Sequence, residues 1–281
     1  MMTPAPSSPH VEAANWHLTD RCNYRCKFCF MTDLQGAEAD LIRGKEVIDN
    51  LARIGIRKLN FVGGEPMLHT HLIDFARYAH QCGLTVSIVT NAFYLTEQRI
   101  SELKPWVDWI GVSIDSSQES TEKDLGRGTG DHVKRVIAAS GAVKAAGINL
   151  KVNTVVTKLN LTEDMRPLIK RLRPLRWKVF QMLAISGQND SYADALAVTD
   201  AEFGQFKDMN GDIVLESGFG PTFESSEDMI DSYLMLGPDG SFIRNSDHHY
   251  QYTSMESVVR SGVGDVVNVD AFLKRGGRYD W

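Results

Sequence analysis

Between residues 15 and 182, six short apolar runs alternate with five stretches of helical period. Strands are predicted at Asn15–Thr19, Lys58–Val62, Thr85–Val89, Trp109–Ser113, Asn149–Val156 and Trp177–Met182. Helices are predicted near Gly44–Ile54, His71–Cys82, Thr96–Leu103, His132–Ala146 and Glu163–Leu172. Strands that alternate with helices are joined by crossovers and lie parallel in one sheet. The expected fold class is α/β, a partial (βα)6 barrel of TIM type. Six units fit neither a complete eight-stranded barrel nor a standard dinucleotide-binding pair, and no G-x-G-x-x-G follows a strand. The alternation stops near residue 184. Beyond it, Ser232–Leu236, the turn GPDG and Ser241–Ile243 predict a hairpin. The expected organisation is a disordered lead-in over 1–14, the barrel over 15–183, and a C-terminal extension over 184–281 packed on the barrel.

The chain has 281 residues, with 30 Lys and Arg against 36 Asp and Glu, a formal charge of −6. That balance argues against a nucleic-acid or anionic-membrane partner, though not against a small basic pocket. No apolar run approaches the ~18 residues of a membrane helix. The N-terminal MMTPAPSSPHVEAA lacks the basic start and apolar stretch of a secretory signal. Four cysteines are too sparse for a disulfide scaffold, so a reducing cytoplasm is expected. Three of them, Cys22, Cys26 and Cys29, lie within eight positions directly after the first strand. That is the C-terminal edge of a parallel sheet, where active sites gather. Three thiolates in one loop can converge on a metal centre. Zinc wants a fourth ligand, which His17 or Cys82 could supply. An iron–sulfur cluster held by only three cysteines leaves one iron open to a ligand.

Polar residues also stand where a barrel interior should be dry. Residues two apart share a strand face, and such pairs occur as Asn15 and His17, Lys58 and Asn60, Lys151 and Asn153, and Arg176 and Lys178. Few acidic residues accompany them, and buried unpaired cations are costly. Four cations on three strands, with Arg127 in the glycine-flanked segment GRGTG, predict an anionic small molecule inside the barrel. A polyphosphate suits them, because Arg gives bidentate contacts and Lys a point charge.

The pattern C-x3-C-x2-C after strand one, with Gly63-Gly64-Glu65-Pro66 after strand two, resembles the radical S-adenosylmethionine superfamily. The resemblance implies a [4Fe-4S] cluster on Cys22, Cys26 and Cys29. It implies S-adenosylmethionine on the open iron, with contacts from Phe28, Gly63, Gly64, Glu65, Asn91 and Ser113. On their own residues, glycines allow close backbone approach and a carboxylate at Glu65 suits a cationic partner. Segments such as NWHLTDRCNYRCKFCF, KVNTVVTKLNLTEDM, RWKVFQ, ESSEDMIDSYL and FLKRGGRYDW further resemble the viperin family. That resemblance covers roughly residues 15–182, 224–236 and 268–281. It implies a ribonucleoside triphosphate converted to its 3′-deoxy-3′,4′-didehydro analogue through removal of the C4′ hydrogen, in antiviral defence. It places the triphosphate at Lys58, Arg127, Lys151, Arg176 and Lys178, the ribose near Asn15 and Asn153, and a radical or proton role at Tyr233. It implies a tail, including Lys274 and Arg275, that closes over the nucleotide. Mg2+ with the triphosphate and an electron donor such as flavodoxin or ferredoxin complete the set, with no nucleic acid or membrane partner. Base preference is left open, because Gly237–Tyr252, with His248 and His249, departs from the animal pattern.

Two other readings compete. A radical enzyme acting on GTP, of the molybdenum-cofactor type, would carry further cysteines near its C-terminus, and none follows Cys82. A binding module with zinc on the cysteine loop belongs to a different class.

Overall fold

The computed structural model describes residues 11–276. Six strands, β1 (Ala13–His17), β2 (Lys58–Val62), β3 (Thr85–Thr90), β4 (Trp109–Ser113), β5 (Asn149–Val156) and β6 (Arg176–Gln181), pair in sequence order, all parallel. The crossovers hold α1 (Leu41–Arg53), α2 (Leu72–Gln81), α3 (Glu97–Leu103), α4 (Glu119–Asp124), α5 (His132–Ala145) and α6 (Arg166–Leu172). The short α4 lies in the fourth crossover, where the sequence reading placed only the helix at His132. The first strand opens at Ala13, two residues ahead of expectation. Val11 and Ala14 are buried, so the expected loose lead-in does not extend over 11–14; residues 1–10 lie outside the described residues.

After β6 come α7 (Asp190–Leu196), α8 (Asp200–Asn210), β7 (Thr222–Glu224), α9 (Ser226–Met229), β8 (Leu234–Leu236), β9 (Phe242–Arg244), β10 (Gln251–Thr253), α10 (Met255–Ser261) and α11 (Val269–Lys274). The extension is continuous with the barrel wall. β7 joins parallel to β6, and β8 joins parallel to β1 on the other side. The order is β10-β9-β8-β1-β2-β3-β4-β5-β6-β7, in which β7 and β8 do not pair with each other. The expected hairpin is β8–β9, closed by Gly237 N–H to the Ser241 carbonyl at 2.8 Å. Its turn needs Gly240, at φ +83°, where a Cβ would lie 2.3 Å from Val47.

The amphipathic helices bury their apolar stripes on the outer face of the sheet. Among the largest fully buried side chains is Trp16 of β1, stacked on Phe75 of α2 at 5.2 Å and tilted against Phe61 of β2 at 6.0 Å. Its indole N–H donates to the Gly237 carbonyl at 2.9 Å, tying the extension to the first strand. The inner face is different. Alternate residues of β1, β2, β5 and β6, with Val89, Ser113 and Met235 from β3, β4 and β8, all line one cavity, so the sheet curls around it as an open barrel.

Trp16→Ala removes an aromatic packed on two others and leaves a carbonyl without its donor. A destabilisation of about 3–5 kcal/mol is expected, read as a shift in denaturant midpoint. A shift below about 1 kcal/mol would contradict the packing role given to Trp16.

Candidate active site

The cavity measures about 830 Å³, within the range of small-molecule sites. Its lining is ordered by depth, and register sets the order. At the C-terminal strand edge lie Cys22, Cys26, Cys29, Phe28, Gly63, Gly64, Asn91 and Ser113. Below them lie Asn15, Asn60 and Asn153, the last opposite Ser113 in register, and toward the N-terminal strand ends Lys58 and Lys151, with Lys178 beside Asn153.

The cysteine loop is held by backbone contacts. Arg25 N–H and Lys27 N–H donate to the Gly126 and Leu125 carbonyls at 3.3 and 2.9 Å. Gly126, at φ +82°, has no room for a Cβ, which would fall 2.1 Å from the Arg25 carbonyl oxygen. On the other side the Gly63-Gly64 turn presses on the same loop, with Gly64 N–H to Thr19 O at 2.6 Å and Glu65 N–H to Arg21 O at 2.8 Å. Burial pushes all three thiols up, while the Arg127 charge pulls them down. A metal centre would supply the positive charge that the thiolates need.

Among the described residues no three His, Cys, Asp or Glu side chains close on a single-ion site. Three thiols in one loop are the thiolate donors that the corners of an iron–sulfur cluster take. Neither proposed fourth zinc ligand joins them. Cys82 is exposed and follows α2 at the N-terminal side of the sheet. His17 lines the cavity, but no cluster of three His, Cys, Asp or Glu side chains includes it among the described residues. His248 instead meets the Ala184 carbonyl at 2.8 Å.

Two expectations need correction. Glu65 does not present its carboxylate to the cavity. The side chain is fully buried and accepts from Asn91 N–H at 2.8 Å, Thr90 Oγ1 at 2.7 Å and Met67 N–H at 3.1 Å. Burial raises its pKa to about 7. It laces the end of β2 to the end of β3 and so fixes Asn91, whose Nδ2 lies 3.8 Å from Cys22 Sγ. Nor is Arg127 an unpaired cation among the lysines. Its Nε meets Asp115 at 2.5 Å and Glu122 at 3.7 Å, and its guanidinium lies 5.3 Å from the centre of the Phe28 ring. It therefore belongs to the cysteine end. Asp115, Glu122 and Glu224 are the buried acids that the sequence reading missed. Asp115 was in principle visible, since it continues the inward parity of Ser113.

Lys58, Lys151 and Lys178 line the cavity. Lys58 lies 5.4 Å from the centre of the Trp109 ring. Gly111 makes room for Lys151, whose Cε would lie 2.8 Å from a Cβ at that position. Lys178 pairs with Glu224 and donates to the Tyr233 hydroxyl at 2.9 Å. Arg176 stands one step below Lys178, opposite Lys151 in register, and is half-buried outside the cavity lining. Arg275 lines the cavity, whereas Lys274 is exposed and does not. Residues 277–281 of the predicted tail lie outside the described residues. Burial, then the charges of Lys151, Arg176 and Lys178, lower Lys58 to about 6, against a small opposing effect of Asp108. Burial, Lys178 and Arg176 lower Lys151 to about 7, against Glu224.

The radical SAM superfamily description matches residues 16–172. The chain is 33% identical over its whole length to an S-adenosylmethionine-dependent nucleotide dehydratase of a Thermoplasmatales archaeon (strain ISO4-H5), covering all of that protein too. It is 35% identical to one of Flammeovirga pacifica, with 96% of each chain covered. The crystal structure of Streptococcus suis SuiB bound to S-adenosylmethionine superposes with a TM-score of 0.67 at 13% identity, over 97% of this chain and 69% of that one. That likeness is one of fold.

Gly64→Ala would place a Cβ 2.3 Å from the Arg21 carbonyl oxygen. It should separate the turn from the cysteine loop and lower iron retained after anaerobic reconstitution severalfold. Iron content equal to wild type would contradict the contact. The lowered lysines give a second test. A polyanion raises both values, so binding between about pH 7 and 10 takes up protons, and affinity falls as pH rises through that window. Calorimetry with nucleoside triphosphate at pH 8, in buffers of different ionisation enthalpy, should show an uptake of about one to two protons. Zero uptake would contradict the buried-lysine geometry.

Proposed function

The chain belongs to the radical S-adenosylmethionine superfamily and, within it, to the S-adenosylmethionine-dependent nucleotide dehydratases, and from that premise we propose that it removes water from the ribose of a ribonucleoside triphosphate to give the 3′-deoxy-3′,4′-didehydro nucleotide. The observation that carries this reading is the order of one cavity's lining: thiols and glycine backbone at the C-terminal edge, carboxamides and Lys178 below them, Lys58 and Lys151 beyond. In that order a ribose at the carboxamides has its phosphates among the lysines and its C4′ turned toward the cysteine end.

When bound, a [4Fe-4S] cluster on Cys22, Cys26 and Cys29 and S-adenosylmethionine supply a carbon radical able to take the C4′ hydrogen. The protein's part is placement and exclusion of water. Gly63 and Gly64 offer backbone to the S-adenosylmethionine end. Phe28 covers it, and Asn91 and Ser113 stand at its rim. Lys58, Lys151 and Lys178 neutralise the triphosphate, which brings Mg2+ as its own counter-ion. The buried Asn60 and Asn153 Oδ1 atoms have no protein donor and suit ribose hydroxyls. Arg127 acts at the cysteine end, where Asp115 holds it, and Arg176 adds its charge from behind Lys151. Tyr233 stands beside Lys178, where the departing hydroxyl needs a proton. A small one-electron carrier of the flavodoxin or ferredoxin class provides the electrons. No helix among the described residues is long and apolar enough to cross a membrane. A modified nucleotide of this kind suits antiviral defence.

The test is anaerobic reconstitution followed by incubation with each of the four ribonucleoside triphosphates and with the free nucleosides. Mass spectrometry should find 5′-deoxyadenosine and a nucleotide lacking one water, with triphosphates strongly preferred. Cleavage of S-adenosylmethionine without change in any nucleotide would sink the proposal. Lys151→Ala should weaken triphosphate binding to the metal-free protein by about 2–5 kcal/mol and leave nucleoside binding unchanged. Equal losses for both ligands would remove the phosphate-anchor role.

A further inference from the structure

Behind the cavity wall lies a carboxylate that none of the roles above uses. Glu224, on β7, is 1% exposed and is not part of the cavity lining. A charge so buried costs several kcal/mol unless cations or donors meet it. It has three partners, each from a different part of the chain. The Tyr233 hydroxyl donates to it, the Lys178 ammonium pairs with it, and the Arg275 guanidinium lies 4.0 Å away.

The partners are also tied to one another. Lys178 Nζ donates to the Tyr233 oxygen at 2.9 Å. The Arg275 guanidinium lies over the Tyr233 ring, 3.5 Å from its centre, and its Nε donates to the Ser232 carbonyl at 2.9 Å. All three partners face the cavity. They also span the gap in the barrel wall. β7 carries Glu224, Tyr233 immediately precedes β8, and those two strands do not pair.

We propose that Glu224 is the positioning residue for Tyr233. With its hydrogen committed to Glu224, the phenol oxygen accepts from Lys178, so ring and ammonium face the ribose as one unit. Electrostatics separates this role from binding. A carboxylate near a triphosphate repels it, so at a pH below about 6, where Lys58 and Lys151 carry their protons without help, affinity gives no reason for an acid at this position, whereas orientation of a phenol does. The inference rests on the nucleotide reading above and names the residue behind its tyrosine.

Glu224→Gln keeps the shape and removes the charge. At a pH below about 6, where Lys58 and Lys151 are protonated, the metal-free variant should bind nucleoside triphosphate at least as tightly as wild type in calorimetry. After reconstitution, KM should not rise, kcat for dehydrated nucleotide should fall about tenfold or more, and the ratio of 5′-deoxyadenosine to product should increase. Tyr233→Phe, which keeps the Glu224–Lys178 pair, should show the same shortfall, and the double variant should be no worse than the poorer single one. Glu224→Asp withdraws the carboxylate by one methylene and should give a smaller shortfall of the same kind, which keeps the test open if the glutamine variant does not fold. Weakened binding with an unchanged product ratio, losses that multiply in the double variant, or no change in either readout would each overturn the assignment. Failure of the nucleotide reading looks different: wild type itself would bind no nucleoside triphosphate.

Discussion

Parallel pairing at one register decides what this cavity is made of. Side chains along a strand alternate between faces, so a slip of one residue would turn every inward lysine and asparagine outward. The observed register puts Asn15 opposite Asn60, Asn153 opposite Lys178, and Lys151 opposite Arg176. The opposite parity in β1 carries Ala14 and Trp16, both buried, and the Trp16 contacts with Phe61 and Phe75 hold that face against the helices. Apolar packing outside therefore enforces a polar interior. The cost of burying lysines is borne by the outer core, and the free protein reduces it by lowering the proton affinity of Lys58 and Lys151 and by keeping Glu224 beside Lys178.

Much of this was legible in the residues. Strand–helix alternation is a local signal of period 2 against 3.6, and all six predicted strands form. The cysteine spacing and the Gly-Gly pair carry their own geometry, since thiols want a metal and glycines permit backbone to press on backbone. Lys58, Lys151 and Lys178 could be found because parity survives folding unchanged.

What could not be read concerns partners distant in sequence. Glu65 looked like a ligand carboxylate, yet three donors, two of them from the end of β3, claim it first. Arg127 looked unpaired because Asp115 lies 12 residues away, on the far side of a short helix that the pattern did not signal. Glu224 sits in a three-residue strand, too short for any alternation to show. Lys274 and Arg275 are neighbours of like charge, and only packing on Tyr233 and Phe272 turns one inward.

The proposed reaction requires one cavity to hold the ribose of a nucleoside triphosphate with its C4′ facing the cysteine end. A nucleoside triphosphate carrying deuterium only at C4′ tests it most directly, by mass spectrometry of the 5′-deoxyadenosine formed by the reconstituted enzyme. The account predicts deuterium in that 5′-deoxyadenosine in step with loss of water from the nucleotide. Unlabelled 5′-deoxyadenosine alongside dehydrated product would contradict it.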